Sequence, residues 1–315
     1  MTRNFGLPLI LMAVLAACTG GSGSLGTLPP AETAQPSVVL GSPDVTPGTS
    51  PDASESPSPS NGPSASPTGT SIVRAYFFLA GPQGSTGIVP VLREIPATTG
   101  VAKAAMTALL AGPNGKEAAA TPGISTTIPA GTQLLGLSID NSVATVDLSR
   151  EFESGGGSAS VLGRLGQVVY TLTQFPSVKS VLFEVEGREV HAFGGEGAVL
   201  DGPVGRSDYG EVLPNIFVDR PAWGAALGNP GRVSGNANVF EATFRITLLD
   251  GSGKQLVDQQ AMATCGTGCR GTFDVTIRYD VPKAQWGTLR VWDGSAKDGS
   301  PQDVREYPVW LTPAN

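Results

Sequence analysis

One short loop near the end of the chain, Ser295–Pro301 with the sequence SAKDGSP, places a serine, a lysine and an aspartate within four positions. A serine nucleophile assisted by a lysine is a known catalytic combination. Ser295 and Lys297 lie only two residues apart, however, and that order matches no established nucleophile geometry. Asp298 and Gly299 form a dipeptide typical of sharp turns. We therefore interpret the loop as a turn in which Asp298 and Ser295 hydrogen-bond the local backbone.

Other catalytic, nucleotide and metal motifs are equally weak. His191 is the only histidine, and a serine triad would have to use it, yet no G-x-S-x-G sequence stands at a strand-to-helix turn. No P-loop sequence occurs, and no lysine follows a serine by three residues. One histidine and three cysteines are too few for a closed zinc site. We predict no catalytic residue, no metal and no cofactor, and interpret His191 as structural.

Acidic residues leave one enzymatic alternative open. Glycoside hydrolysis needs two carboxyl groups on either side of the scissile bond, and pairs such as Glu151/Glu153 or Asp298/Asp303 could in principle serve it. The rival function is a cell-wall hydrolase or an activator of one that uses acidic residues of the first domain, with Glu94 and Asp147 as the residues to test. The sequence does not place them across a cleft. Arg93 and Glu94 are neighbours near the end of a predicted strand, and we interpret them either as a structural salt bridge or as a docking point. A net charge of −7 without any basic cluster argues against a nucleic-acid partner.

The N-terminus predicts export and lipid attachment. Arg3 precedes an apolar run of about 13 residues, which suits a secretory signal peptide over residues 1–17 and is shorter than the roughly 20 residues of a membrane-spanning helix. The run ends in Leu15-Ala16-Ala17-Cys18, which resembles the bacterial lipobox. That resemblance implies lipid transfer to Cys18 and cleavage before it. We expect a lipid anchor on the extracytoplasmic face of the cell membrane; the alternative is a secreted protein with an incidental Cys18.

The composition of residues 18–70 predicts a tether. They are rich in proline, serine, glycine and threonine and contain no lysine, arginine or aromatic residue. Such a segment buries too little apolar surface to offset its conformational entropy, so we expect disorder. A coil of this length spans roughly 40 Å. It serves either as a spacer that lifts the folded part off the membrane or as a tail with no length requirement.

Two cysteines remain once Cys18 carries lipid. Cys265 and Cys269 flank a Gly-Thr-Gly turn in the sequence TCGTGCR. Because exported proteins fold in an oxidising compartment, an even pair favours a disulfide. A loop this short contributes less entropic stabilisation than the roughly 3 kcal/mol of a 15-residue loop, so its effect would be to rigidify the turn. A redox or metal role is the alternative.

Residues 71–207 predict an α+β domain. Apolar β-rich runs occupy 72–80 and 88–95, and a helical pattern follows over 100–112. A hairpin is predicted over 132–149, then a long amphipathic helix capped by Ser158 or Ser160 and stopped before Pro176, then a last strand near 180–187. The order ββαββαβ predicts helices on one face of a small mixed sheet.

The hydrophobic pattern over residues 208–315 differs from that of the first domain. In 272–280 every second residue is apolar, namely Phe273, Val275, Ile277 and Tyr279. Five to seven short strands of this kind, with no helical stripe, predict an antiparallel sandwich. All four tryptophans, Trp223, Trp286, Trp292 and Trp310, lie here, and we interpret them as the core of the sandwich and its rim.

Both regions resemble known domain families. The runs LLAGP at 109–113, VDLSREF at 146–152, YTLTQFP at 170–176 and FEVEG at 183–187 are similar to the GerMN domain of spore-germination and sporulation lipoproteins. The runs VSGNANVFEATF at 233–244 and SAKDGSPQ at 295–302 resemble the immunoglobulin-like domain of bacterial spore germination. The resemblance implies non-catalytic extracytoplasmic domains in envelope or sporulation assemblies.

These observations converge on a membrane-anchored, non-enzymatic lipoprotein with a binding or scaffold role in the cell envelope. We expect its partner to be an extracytoplasmic protein or a cell-wall polymer. A third possibility, a small ligand bound in a cleft between the domains, has only the linker at 201–214 in its favour.

Overall fold

A computed structural model describes residues 69–81, 86–193 and 198–314. The predicted signal peptide, Cys18 and nearly all of the predicted tether lie outside the described residues. The predictions made for them therefore remain expectations from sequence.

An antiparallel hairpin begins the first domain. Its two long strands are followed later in the chain by a short third one: β1 (Thr70–Ala80), β2 (Thr86–Pro96) and β3 (Ile124–Ser125). The sheet order is β2-β1-β3, and β1 pairs with β2 along its whole length. Apolar residues on both faces of β1 are buried, because a layer of the protein covers each side of this sheet.

A second sheet of four strands completes the first domain: β4 (Leu134–Asp140), β5 (Val143–Leu148), β6 (Ser180–Val185) and β7 (Arg188–Glu189). It is mixed, because β5 and β6 run parallel while the other pairs are antiparallel. The expectation of one small mixed sheet is therefore wrong. The early hairpin takes β3 as its third strand instead of joining β4, a long-range pairing that local sequence does not reveal.

Three helices pack on these sheets: α1 (Val101–Leu110), α2 (Gly115–Ala119) and α3 (Ser158–Leu172). The predicted apolar stripe of α3 is buried against β1 and β6. Gly157 occupies the N-cap position and no side chain caps the helix, so the expected serine cap is wrong. The buried Arg164 closes the preceding turn instead, since its guanidinium donates to the carbonyls of Ser154 and Gly155. Burial lowers the pKa of Arg164.

The second domain is all β. Its strands are β8 (Ile216–Arg220), β9 (Ala226–Leu227), β10 (Gly231–Ala237), β11 (Thr243–Leu249), β12 (Gln255–Met262), β13 (Gly271–Ile277), β14 (Gln285–Gly294) and β15 (Pro301–Leu311). They form two sheets, β13-β10-β8 and β12-β11-β14-β15-β9. In β13, Phe273 and Ile277 are buried while Asp274 faces water, as the alternation predicts. The prediction of an α+β domain followed by an all-β sandwich is confirmed.

The tryptophans do not form the sandwich core. Trp286 is 53% exposed and Trp310 is 36% exposed, whereas Trp223 and Trp292 are partly buried. The core is filled instead by smaller side chains such as Leu289, Val291 and Tyr307, which are fully buried. The core part of the interpretation is therefore wrong, whereas the partial burial of Trp223 and Trp292 and the exposure of Trp286 and Trp310 fit its other part, the rim.

Buried side chains of the two domains form one continuous apolar cluster. The connecting segment contains a 3₁₀ turn, Arg206–Val212, whose Tyr209 is buried and which packs against α3. The described residues accordingly all belong to one compact unit. Within the described part of the chain, no helix has the length and apolar character needed to cross a membrane.

The SAKDGSP loop connects β14 to β15 as a turn. Asp298 accepts a hydrogen bond from the Ser300 backbone N–H at 3.1 Å, and Ser295 accepts one from the Lys297 N–H at 3.3 Å. Both predicted side-chain-to-backbone contacts are confirmed. Hydrogen bonds from the Ser300 hydroxyl, which is the largest cause, and from the Ser300 backbone N–H lower the pKa of Asp298. The loop therefore has a structural explanation without catalysis.

Gly299 lies in this turn with a φ of +72°, which L residues rarely adopt. An added Cβ would have no neighbouring atom within 4 Å, so a substitution here tests backbone strain without a steric clash. Gly299→Val is expected to cost about 1–2 kcal/mol through backbone strain alone and to lower the melting temperature by several degrees. Lys297→Ala is the matched control in the same loop and should leave the melting temperature unchanged. Thermal unfolding followed by circular dichroism measures both; the reverse pattern would reopen the loop as a functional site.

Candidate functional site

A short segment after β8 is hydrogen-bonded to both domains at once. The Trp223 backbone N–H donates to the Pro90 carbonyl of β2 at 2.9 Å, and the Gly224 N–H donates to the Pro308 carbonyl of β15 at 2.9 Å. Val91 and Trp223 also form a parallel bridge. Residues from two distant parts of the chain are thereby brought to one opening between the domains.

This opening, which we call the interdomain cleft, has a volume of about 460 Å³, within the range of small-ligand sites. The first domain contributes Leu92, Lys116, Glu117 and Pro122 to its walls. The second contributes Trp223, Trp286, Thr288, Glu306 and Pro308. A site built this way exists only while both domains keep their positions.

Tryptophan side chains contribute both apolar surface and an indole N–H at the cleft. Trp286 meets Trp310 edge to face, with ring centroids 5.3 Å apart, and both rings remain accessible to solvent. The indole N–H of Trp223 is buried and has no hydrogen-bond partner among the described residues. Exposed apolar rings and unsatisfied buried donors each cost free energy, and both Trp223 and Trp286 line the cleft.

The two carboxylates of the cleft are already compensated by arginines. Glu117 accepts two hydrogen bonds of 2.7 Å from Arg93 and one of 2.8 Å from the Asn114 backbone N–H. Glu306 accepts from Arg290 at 2.7 Å. The Arg93–Glu117 pair is bidentate, an arrangement that holds a carboxylate firmly, whereas both contacts of Arg290 reach one oxygen of Glu306. With both carboxylates compensated, the cleft suits a ligand that is largely uncharged.

Arg93 and Glu94, predicted as a salt bridge or a docking point, are not paired with each other. Arg93 forms its salt bridge with Glu117, and its guanidinium also lies 5.1 Å from the centre of the Phe77 ring. Glu94 follows on the strand and is exposed, since neighbouring strand residues point to opposite faces. The salt bridge is therefore structural and fixes α2, which forms the rim of the interdomain cleft.

A second cluster fastens the domains beside the cleft. The Tyr76 hydroxyl donates to Asp219 at 3.2 Å, and Arg74 pairs with the same carboxylate at 3.4 Å. The Phe217 ring lies against both Tyr76 and Tyr170. Burial, aided by the negative charge of Asp219, raises the pKa of Tyr76 to about 12. This tyrosine therefore stays protonated, as a donor, at physiological pH.

Cys265 and Cys269 are joined by a disulfide across a Cα–Cα distance of 6.0 Å. The enclosed turn is held to the rest of the sandwich, because the Gly268 N–H donates to the Asn238 side chain at 3.1 Å. The following residue, Arg270, reaches the linker, donating to the Pro214 carbonyl at 3.0 Å. Burial lowers the pKa of Arg270. The bridge thus stiffens a turn that borders the domain junction.

The remaining candidate residues are scattered. His191 is exposed and lies 3.9 Å from Glu189. Asp147, in β5, accepts a hydrogen bond from the Gly187 backbone N–H at 3.0 Å, whereas Glu94 lies in β2 of the other sheet. Among the residues that the structure describes, no three His, Cys, Asp or Glu side chains are grouped as metal ligands are.

Glu117, Trp223 and Trp286 were not predicted from the sequence as parts of a site. Asn114 and Glu117 form a capping box at the start of α2, and the Asn-x-x-Glu spacing before an alanine-rich run was a usable indication of that helix. No local pattern could have brought Trp223 to Pro90, more than a hundred residues away.

Comparisons with known proteins match the two domains separately. The family of sporulation and spore germination, Germane, matches residues 74–191. The immunoglobulin-like domain of bacterial spore germination matches residues 215–300. No curated protein sequence matches the chain.

Solved structures show weaker likeness. A candidate lipoprotein from Clostridium perfringens is 21% identical, with 49% of this chain and 99% of that chain covered and a TM-score of 0.32. The tandem GerMN domains of the sporulation protein GerM from Bacillus subtilis are 18% identical, with 66% and 62% covered and a TM-score of 0.36. The first GerMN domain of that protein alone is 22% identical, with 43% and 99% covered and a TM-score of 0.34.

The architecture is that of a two-domain protein in which an α+β domain and an immunoglobulin-like sandwich share a core. More specifically, the chain carries a GerMN domain of the sporulation and spore germination family, followed by an immunoglobulin-like domain of bacterial spore germination.

Proposed function

We propose that the protein is a lipid-anchored extracytoplasmic lipoprotein that acts as a non-enzymatic binding module of the cell envelope. The observation that carries the proposal is the interdomain cleft: two germination-type domains share one core and together form an aromatic-lined opening. The similarity to a candidate lipoprotein from Clostridium perfringens and the sequence Leu15-Ala16-Ala17-Cys18 support an envelope location. The binding partner on this proposal is another extracytoplasmic protein or a cell-wall polymer.

Anchoring is tested by Cys18→Ser. The variant cannot accept a lipid on its thiol, and because stable attachment requires two acyl chains or their equivalent, we expect the protein to move from the membrane fraction to the soluble fraction. Cell fractionation and the intact mass of the purified protein measure this. The double variant Cys265→Ser, Cys269→Ser is the control and should keep both the lipid mass and the membrane location. A Cys18→Ser protein that stays on the membrane contradicts the proposal.

Binding is tested with purified Cys18→Ser protein incubated separately with washed cell walls and with detergent extracts of the membrane. We expect retention on one of the two, and weaker retention of a variant that also carries Trp286→Ala. Trp292→Ala is a matched control outside the cleft. Equal recovery of all three proteins from both materials, at the level of an unrelated protein, would reject a binding function for the cleft.

The alternative function, a cell-wall hydrolase or hydrolase activator using Glu94 and Asp147, has no structural observation in its favour, since these acids belong to different sheets. Release of muropeptides by the purified protein, lost on Glu94→Gln or Asp147→Asn, would favour it over the binding function.

A further inference from the structure

The second-domain wall of the interdomain cleft is built on the outer face of β14 and β15. Three cross-strand pairs follow one another along this face: Trp286 with Trp310, Thr288 with Pro308, and Arg290 with Glu306. Alternate residues of a strand share a face, and the residues between these pairs, such as Leu289 and Tyr307, are buried on the inner face. The wall therefore changes from aromatic to charged over four strand residues, about 13 Å.

Several polar atoms of the cleft retain hydrogen-bonding capacity. Both contacts of Arg290 reach Oε1 of Glu306, at 2.7 and 2.6 Å, so Oε2 has no partner among the residues that the structure describes. The Thr288 hydroxyl has none in the same part of the chain. On the first-domain wall, Asn114 uses its side-chain oxygen to cap α2, which leaves its amide N–H groups available. The cleft thus offers acceptors on one wall and a donor on the other.

The free oxygen of Glu306 decides between two kinds of ligand. An ionised carboxylate only accepts hydrogen bonds, so a ligand that satisfies it must bring donors. A sugar ring has an apolar face of C–H groups that packs on an exposed indole such as Trp286, and its hydroxyls both donate and accept. A polyproline segment would also pack on the indole, but it lacks the N–H groups that Glu306 requires.

The charge balance of the cleft favours a neutral saccharide over an acidic one. Glu117 is neutralised by Arg93 and Glu306 by Arg290. Lys116 is the one lining residue whose charge forms no ion pair within the described part of the chain. It is exposed at the rim, where salt and water screen a single charge. No strong positive potential is therefore available to hold an anion.

We propose that the interdomain cleft binds a neutral saccharide chain. One sugar ring packs on Trp286, and hydroxyl groups of the chain bond to Glu306 Oε2 and to the Thr288 hydroxyl. Asn114 and Lys116 of the first-domain wall supply donors, so both domains take part in recognition. The inference rests on the proposed binding function and names its ligand class: the polysaccharide part of a cell-wall polymer.

The test titrates purified Cys18→Ser protein, labelled with 5-fluorotryptophan, with three neutral tetrasaccharides: chitotetraose, cellotetraose and maltotetraose. We expect saturable binding of at least one of them, measured by isothermal titration calorimetry. The same sugar should shift the fluorine resonance of Trp286, whereas Trp292, which is not part of the cleft wall, should keep its resonance as the internal control. Single Trp→Phe substitutions assign the resonances. Tetragalacturonate, an acidic tetrasaccharide, should bind more weakly.

Variants of the two wall residues locate the contacts. Trp286→Ala should weaken binding of the sugar roughly tenfold, because one aromatic anchor carries much of such a contact. Thr288→Val removes the hydroxyl but keeps the branched shape of the side chain, and should weaken binding about fivefold. Thr288→Ser retains the hydroxyl and should bind as the unsubstituted protein does. Trp292→Ala is the control outside the cleft, and circular dichroism confirms that each variant is folded.

Three outcomes would overturn the inference. The first is the absence of saturable binding by all three neutral tetrasaccharides. The second is tighter binding of tetragalacturonate, which would show an anion site governed by Lys116. The third is binding of a hexaproline peptide where the sugars fail, which would show a peptide site. Each would leave the proposed binding function standing, because that function is tested separately by retention on cell walls or membrane extracts, without any soluble sugar.

Discussion

Replacing Phe217 with alanine is expected to lower the free energy of unfolding by about 3–5 kcal/mol and to divide one unfolding transition into two. Phe217 belongs to β8 of the second domain and is only 1% exposed. Its ring centre lies 6.5 Å from that of Tyr76 and 6.3 Å from that of Tyr170, both in the first domain. Its removal therefore opens a cavity at the place where the two halves of the core meet.

The experiment compares two probes of chemical denaturation. Tryptophan fluorescence reports on the second domain and its junction with the first, because all four tryptophans lie in the second domain and Trp223 is hydrogen-bonded to Pro90, whereas far-ultraviolet circular dichroism reports on the backbone of both domains. Their transitions should coincide in the unsubstituted protein, as expected for a shared core, and separate in Phe217→Ala.

Phe244→Ala provides the matched control. Phe244 is equally buried but packs against Phe273 within the sandwich, with ring centres 4.8 Å apart. A similar loss of stability is expected with both probes still coincident. Coincident transitions in Phe217→Ala would mean that other contacts, such as the Tyr76–Asp219 hydrogen bond, suffice to couple the domains.

The second large effect is loss of stability in alkali. Burial raises the pKa of both Tyr76 and Tyr307 to about 12, whereas an unfolded tyrosine has a pKa near ~10. Between these values the unfolded chain loses protons that the folded chain retains, so stability falls as the pH rises. The contribution is fully present below about pH 10 and is lost as the pH approaches 12. Each tyrosine accounts for about 3 kcal/mol, since one pKa unit corresponds to ~1.4 kcal/mol.

Denaturation midpoints measured at intervals from pH 9 to pH 12 test this expectation. The free energy of unfolding should decrease progressively above pH 10, and Tyr76→Phe should reduce the slope by about one proton because it removes one titrating group. A stability that does not change between pH 10 and pH 12 would contradict the assignment of buried, protonated tyrosines.

The local structure was largely predictable from the sequence. Alternation over 272–280 predicted β13, and the apolar stripe of α3 predicted that helix, because both patterns follow from the periodicity of a single element. The turn at Asp298-Gly299 followed from its residue types. These predictions need no knowledge of distant contacts, and the structure agrees with them.

The candidate site depended on contacts that local patterns do not contain. Arg93 pairs with Glu117, 24 residues away, and not with its neighbour. The tryptophans pointed to a sandwich core because large aromatic residues are usually buried, yet Trp286 lies on an outer face that becomes a cleft wall only when the first domain packs beside it. The pairing of Trp223 with Pro90 creates that arrangement, and it links two regions that sequence analysis treated as separate domains.

The pairing of β1 with β2 has a mechanical consequence. On the proposed anchoring, any tension between the membrane and a bound partner enters the folded part at Thr70, the first residue of β1. A pull along that strand is shared by all eleven residue pairs that join β1 to β2, as in a shear joint. From β2 the force is transmitted to the second domain through the Pro90–Trp223 hydrogen bond and the packing around Phe217. Because Trp223 also lines the cleft, tension on the anchor would act directly on the cleft wall.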